Sequence, residues 1–445
     1  MQQFVPQITL EEINQMVSSK IRKENIVMQI SVPESNTIPT EQGVMALLNK
    51  AEATKHEPYI DDLGDGSLLK EEPKSGKVAS SKKLPNFDVT EVILSNGARV
   101  LLKSTDFKND QILMSCYASG GASVYPDNEY QLIMNSDEIV DNCGLGDFKA
   151  TQLSKLLQGK MISLSPYIAG YEQGMYGSTT PKDIEIFFQL LHMQFTQPRK
   201  DADAFSSWKD KTDDMLRSRR NDPMSAFQDT VSSVLSGYHI RGNALTRDDV
   251  EGFDLDRAFN VYKERFADAS NFTFVFVGAF NINEITPLLE RYVASLPSTN
   301  KKEKAVDLGI KPAQGIVKKI VQRGIEPKSQ VSLYIDNDLN NYSSEENLKI
   351  SILSEILTIK IRESLREEIG GVYSPWGRIS TGYFPRKFVR AQLGFVCDPG
   401  KVDELVTAAY EVFDNSKNEI RDENMLKAKE ILKSGFDVNL KENNY

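Results

Sequence analysis

A chain of 445 residues is too long for one ordinary hydrophobic core, and 40% hydrophobic with 26% charged residues is the balance of two or three globular domains. A formal net charge of −10 argues against a nucleic-acid or anionic-membrane partner, because phosphate binding is driven by clustered Lys and Arg. Cys116, Cys143 and Cys397 form no C-x-x-C pair and have no histidine beside them, so buried free thiols are expected rather than disulfides or structural zinc. No apolar run approaches the ~20 residues of a membrane helix, and the first residues lack a signal-peptide pattern. The one basic cluster, Arg217-Ser218-Arg219-Arg220, reads as the solvated end of a charged helix.

In chain order, residues 8–19 predict an amphipathic helix with Ile8, Leu10, Ile13 and Met16 on one face, Glu11 and Glu12 in its first turn and Thr9 as its cap. A strand over residues 25–32 follows and ends at Pro33. A lone helix and strand cannot bury their faces, so the rest of that domain is expected upstream. Residues 34–86, rich in Pro, Gly, Ser and charge, predict an interdomain linker. Strands over 89–94 and 98–103 flank Asn96-Gly97, a strong hairpin signal, and a third strand over 111–118 runs into Ser119-Gly120-Gly121. Helical patterns then dominate to about residue 235, interrupted by strands near 160–164 and 170–178.

Further on, a helix with Ala258, Val261 and Phe266 on its apolar face precedes a strand over 272–278 and a helix from Asn281 through Leu288, Leu289 and Val293. At an offset of about 245 residues this helix–strand–helix order matches the N-terminal segment, which points to duplicated domains. Residues 298–304 predict a second linker. Strands at 316–321 and 330–336, a helix over 344–368, strands at 372–380 and 388–396, and a helix over 400–415 complete the pattern. A last helix has Leu426, Ile431, Leu432 and Phe436 on its apolar face and no further element to pack on, so truncation is expected at both ends.

The repeat, the Asn96-Gly97 hairpin, the strand ending in Gly120-Gly121 and the segment from Arg366 to Tyr373 together resemble the C-terminal, non-catalytic half of pitrilysin/insulinase-type (inverzincin) zinc metallopeptidases. Gly144-Leu145-Gly146-Asp147-Phe148, residues 153–160 and residues 194–199 resemble the inactive halves of that family. The resemblance implies an α+β fold of tandem homologous domains, each a mostly antiparallel twisted sheet packed with helices, forming half of a peptidase clamshell. Residues 1–33 would end the preceding domain, 34–86 would be the interdomain linker, 87–305 an inactive peptidase-like domain and 306–445 a truncated final one.

Active halves of the family carry H-x-x-E-H on a helix, two histidines on one metal and a glutamate that activates water. The corresponding stretch here is Asn135-Ser136-Asp137-Glu138-Ile139, which keeps only the glutamate type; the distal ligand would fall near Asp213-Asp214. His56, His192 and His239 are too scattered to cluster, and His192 reads as a core histidine on an apolar helix. No catalytic residue and no metal ligand is therefore expected in this chain. The resemblance implies zinc in an N-terminal catalytic half of the same protein, a peptide or unfolded polypeptide as substrate, and by analogy a bacterial periplasm or cell envelope, with the cytoplasm left open.

In the family, the arginine and tyrosine matching Arg366 and Tyr373 project from the last domain toward the zinc, so these two are the expected substrate-binding residues. Gly370-Gly371 should end the helix between them, leaving the arginine on its last turn and the tyrosine at the start of the next strand. An arginine fork suits a peptide carbonyl or carboxylate, and a tyrosine hydroxyl suits a carbonyl becoming an oxyanion. The plainer alternative pairs Arg366 with Glu363 or Glu367 and packs Tyr373 in the sheet. Two readings of function follow: a substrate-binding half of a zinc endopeptidase, or a catalytically inactive scaffold or partner subunit of the same fold. An unrelated α+β peptide-binding module would leave the domain repeat unexplained.

Overall fold

A computed structural model of the chain describes residues 1, 3–20, 27–32, 37–55, 57 and 66–444. They divide into two units, residues 1–61 and 62–445. In the first, helix α1 (Leu10–Lys20) begins at the expected cap: Thr9 donates its N–H to Glu12 Oε2 at 2.7 Å, and Glu12 returns its own N–H to Thr9 Oγ1 at 3.2 Å. A second helix, α2 (Glu41–Ala53), is capped by Thr40, whose side chain accepts from the Gly43 N–H. It lies inside the stretch expected to be linker. Residues 27–32 form no strand; the described elements of this unit are all helical, and a strand needs a neighbour for its N–H and C=O groups. The rest of the expected strand, residues 25 and 26, with Pro33 that ends it, and the linker positions 34–36, 56 and 58–65 lie outside the described residues.

The second unit opens with strands β1 (Val78–Leu84), β2 (Val89–Leu94), β3 (Arg99–Ser104) and β4 (Ile112–Ser119). β1 also falls in the expected linker. Its polar sequence, with Lys82 and Lys83, suits the sheet edge that it occupies beside β2. Asn96-Gly97 turns β2 into β3 as expected: Gly97 has φ +83°, and Leu94 donates its N–H to Ala98 O at 2.9 Å. The Asn96 side chain also donates to the carbonyls of Val293 and Leu296, at 2.8 and 3.1 Å, so the turn is pinned to a helix end two hundred positions away.

Helices α3 (Tyr130–Cys143) and α4 (Ala150–Leu156), strands β5 (Ser163–Ile168) and β6 (Glu172–Thr179), and helices α5 (Ile184–Thr196), α6 (Ala202–Arg219), α7 (Pro223–Leu235), α8 (Arg247–Gly252) and α9 (Leu255–Phe266) follow. Strand β7 (Thr273–Gly278) and helix α10 (Ile282–Leu288) then complete a seven-stranded sheet of order β1-β2-β3-β7-β4-β6-β5. Only β3 and β7 pair in parallel; the other neighbours are antiparallel. Strict alternation puts Ile112, Met114, Cys116 and Ala118 of β4 into the core. Against that face lie Ile133 and Val140 of α3, Phe187, Phe188 and Leu191 of α5, and Val261 and Phe266 of α9. Each such side chain contributes about 1.5–3 kcal/mol by burial.

The segment 298–304, expected as a second linker, is strapped down. Arg265 reaches Glu303 at 2.5 Å, and Ser119 and Ser123 accept the N–H groups of Ala305 and Val306 at 2.8 and 2.9 Å. Residues 316–321, expected as a strand, have no strand neighbour and leave Ile316 in solvent. Beyond them β8 (Ser329–Asp338), α11 (Ser344–Arg362), β9 (Trp376–Gly382), β10 (Phe388–Cys397), α12 (Val402–Asn415) and α13 (Asp422–Asn439) build a second lobe on an antiparallel sheet of order β8-β10-β9. Its core joins Leu357 and Ile361 of α11 to Leu393 and Phe395 of β10 and Leu405 of α12. Two mainly antiparallel sheets, each packed with helices, make the α+β fold that the sequence predicts.

Candidate functional site

After Arg362, α11 continues as a π-helical turn, Glu363–Glu368, of the kind that often marks functional positions. Leu365 and Val372 are buried in the second core, and the residue after each, Arg366 and Tyr373, stands in solvent. Gly370, at φ +67°, ends the helical path as the sequence predicts. A Cβ there would meet no atom within 4 Å, so Gly370→Ala is expected to cost only the left-handed backbone penalty. That is about 1–2 kcal/mol, read as a lower urea midpoint, with Gly370→Asn costing less. At Gly371 a Cβ would lie 3.2 Å from Leu405 Cδ1, so this glycine lets the chain pass close over α12.

The two expected residues meet. Arg366 Cζ lies 5.6 Å from the centroid of the Tyr373 ring, within cation–π range. Among the described residues Arg366 makes no ion pair, with Glu363 or Glu367 included, and Tyr373 is 84% exposed instead of packed in the sheet. One expectation needs correction: the strand begins at Trp376, not at residue 372, so Tyr373 sits in a bend ahead of it. Pro375 has no N–H to give a ladder, which delays the start of pairing.

The stretch Asn135-Ser136-Asp137-Glu138-Ile139 lies on α3, where the side chains of Asn135, Ser136 and Ile139 are engaged by the helix itself or by the core. Asn135 donates to Gln131 O and Ser136 to Leu132 O, both at 2.7 Å, while Ile139 packs in a cluster with Trp208 and Val250. Asp213 is bound to Arg217 at 2.8 Å and to Arg247. His192 is buried, with Nδ1 3.0 Å from Tyr292 O, and burial lowers its pKa, the behaviour of a core histidine. His239 accepts the Arg241 N–H at 3.3 Å, and His56 lies outside the described residues. This donor set does not fit zinc: an apolar side chain and an amide turned to its own helix stand where imidazoles are needed.

Asp137 itself is an oddity. One carboxylate oxygen accepts the Ile168 N–H at 3.2 Å, and the other is buried without a hydrogen-bond partner among the described residues. Burial pushes its pKa up to about 7; the Glu138 charge acts in the same direction and backbone amides oppose it. Below its ordinary value of 3.8 the group is neutral in both folded and unfolded chains. As pH rises toward 7 the unfolded chain alone releases the proton, so stability falls. Asp137→Asn is therefore expected to stabilise at pH 8 by about 1–3 kcal/mol and to change little at pH 4, measured by urea unfolding.

Sequence reasoning missed a second set of residues, around the end of β4. Arg241 is 9% exposed and donates to Asp127 Oδ1 (2.6 Å), Ala122 O (3.0 Å) and Tyr125 O (2.6 Å), with its guanidinium 5.1 Å from the Tyr130 ring centroid. It holds the turn that starts at Gly120 (φ +136°) and Gly121 (φ +54°). The partners lie more than a hundred residues apart, and Arg241 has no local pattern that announces the role.

Comparison with known proteins bears out the family resemblance. The peptidase M16 inactive domain matches residues 253–432. The chain is 26% identical over 361 residues to a probable zinc protease PqqL of Haemophilus influenzae, covering 80% of this chain and 38% of that protein. It is 25% identical over 429 residues to a zinc protease PQQL-like protein of Arabidopsis thaliana, covering 92% of this chain and 42% of that protein. It thus spans about two-fifths of the length of these curated relatives. The crystal structure of the periplasmic protease PqqL from Escherichia coli superposes with a TM-score of 0.75 at 20% identity, covering 91% of this chain and 45% of that one. Residues 253–432 thus carry a peptidase M16 inactive domain, and the chain is homologous to the PqqL zinc proteases.

Proposed function

We propose that this chain is the substrate-binding, non-catalytic half of a zinc-dependent metalloendopeptidase that hydrolyses peptides or unfolded polypeptide, inactive without its other half. Zinc and the water-activating glutamate belong to an N-terminal half of the same protein. The observation that carries this reading is the Arg366–Tyr373 pair, two exposed groups with no other partner among the described residues, held together by a glycine-terminated helix in a homologue of zinc proteases. Arg366 then presents a fixed cation to a substrate carbonyl or carboxylate. The Tyr373 hydroxyl donates to the carbonyl under attack, a bond that strengthens as charge develops on oxygen. The division into an end of a preceding domain, a linker from residue 34, an inactive domain to residue 305 and a final domain is part of this reading, with β1 of the linker stretch added to the sheet. The periplasm is the compartment proposed, by analogy with the Escherichia coli protease.

The test is reconstitution. The two halves, expressed together, should cleave a quenched peptide in a zinc-dependent way, and neither should do so alone. Full activity of the catalytic half without this chain would reject the reading. No activity from an N-terminal half lacking H-x-x-E-H would move the chain to the scaffold role.

A further inference from the structure

Arg217 and Arg220 lie three positions apart at the end of α6 and so share one face. Arg323 reaches the same cleft from the segment before β8. Together with Pro223, Gly324 and Ile325 they line an open groove of about 710 Å³. The groove is shaped by close approach: Gly324 has φ +92°, and a Cβ on it would lie 3.0 Å from Pro223 Cγ. A side chain there would lift Arg323 away from α7.

The charges in this groove are unequal in their commitments. Arg217 has Asp213 at 2.8 Å, and Arg219 nearby is bound to Asp229. Asp222, in the groove wall, is occupied as the cap of α7 and accepts from the N–H groups of Met224 and Ser225. Arg220 and Arg323 have no acidic partner among the described residues. The helix dipole accounts for basic residues in the last turn of α6. It does not account for Arg323, which belongs to no helix, nor for two unneutralised guanidinium groups in a chain with 63 acids against 53 Lys and Arg. The solvated-helix reading of residues 217–220 is therefore incomplete.

We propose that this groove binds acidic stretches of polypeptide. Arg220 and Arg323 receive Asp or Glu carboxylates through their planar donor forks, and the fully exposed Ile325 offers an apolar contact alongside. The volume is in the range of sites that take molecules of many atoms, beyond the needs of one inorganic anion. The groove uses elements other than those that carry Arg366 and Tyr373.

Fluorescence anisotropy with the full chain tests this, using a labelled peptide of alternating Glu and Gly and its Gln-Gly counterpart. The Glu peptide should bind at least about tenfold more tightly and should weaken as salt is added. Arg220→Ala with Arg323→Ala should remove that preference, whereas Lys349→Ala, whose lysine pairs with Glu345 on α11, should leave it intact. Arg323→Ala alone, outside regular structure, provides the reading if the double variant melts early. Equal binding of the two peptides, variants that bind like the parent, or competition by inorganic pyrophosphate as strong as by unlabelled Glu peptide would each overturn the proposal. Because the assay reads binding, its outcome is independent of whether Arg366 and Tyr373 act in cleavage.

Discussion

Tyr373→Phe in the complete peptidase is expected to lower kcat for peptide cleavage by about a hundredfold or more, the effect of losing one donor to a developing oxyanion. KM should move little and the melting temperature not at all. The ring is 84% exposed, and phenylalanine keeps the aromatic face that Arg366 covers at 5.6 Å. Arg366→Ala should act differently, raising KM, because in the proposed role it removes the charge that grips the bound chain before reaction. Arg366→Lys should restore only part of that grip, since an ammonium lacks the fork. Steady-state kinetics on a quenched peptide separate these outcomes. Parent-like rates for both Tyr373→Phe and Arg366→Ala would remove the pair from the mechanism.

Arg241→Ala is expected to be the most destabilising single change at a polar residue, costing about 3–5 kcal/mol. The substitution takes the guanidinium from the Tyr125 carbonyl and from Asp127, and leaves the Ala122 carbonyl with the Tyr125 N–H alone. Arg241→Lys should recover only part of the loss, because one ammonium cannot span three acceptors in the guanidinium plane. Urea unfolding with the slope held constant gives the number. A change under ~0.5 kcal/mol, the level of an ordinary surface substitution, would show that the cage is incidental.

What the sequence made legible was local. Asn96-Gly97 announced its hairpin because the turn chemistry lies within two residues, and Thr9 announced α1 for the same reason. The pairing of Arg366 with Tyr373 was legible because Gly370 lies between them and because the family resemblance named the two residues. β1 was invisible: an edge strand reading Val-Ala-Ser-Ser-Lys-Lys-Leu has no apolar alternation, and it forms because β2 offers a free edge. The converse error was 316–321, where an apolar pattern meets no neighbouring strand and stays irregular. Helix α2 inside the expected linker shows that composition alone underrates a well-capped helix. The Arg241 cage and the orphan oxygen of Asp137 depend on contacts across more than a hundred and about thirty residues respectively, and no window along the chain contains them.

β7 lies at the centre of the seven-stranded sheet, parallel to β3 on one side and antiparallel to β4 on the other. Its residues follow those of β3 by about 170 positions, so the sheet cannot become continuous until that whole intervening stretch has been made. Until then β1-β2-β3 and β4-β6-β5 are separate three-stranded pieces, each with a bare inner edge and an uncovered apolar face. Synthesis from the N-terminus therefore carries a long interval of exposure to wrong pairing, and a nascent chain that stalls before Thr273 is a substrate for chaperones or proteolysis.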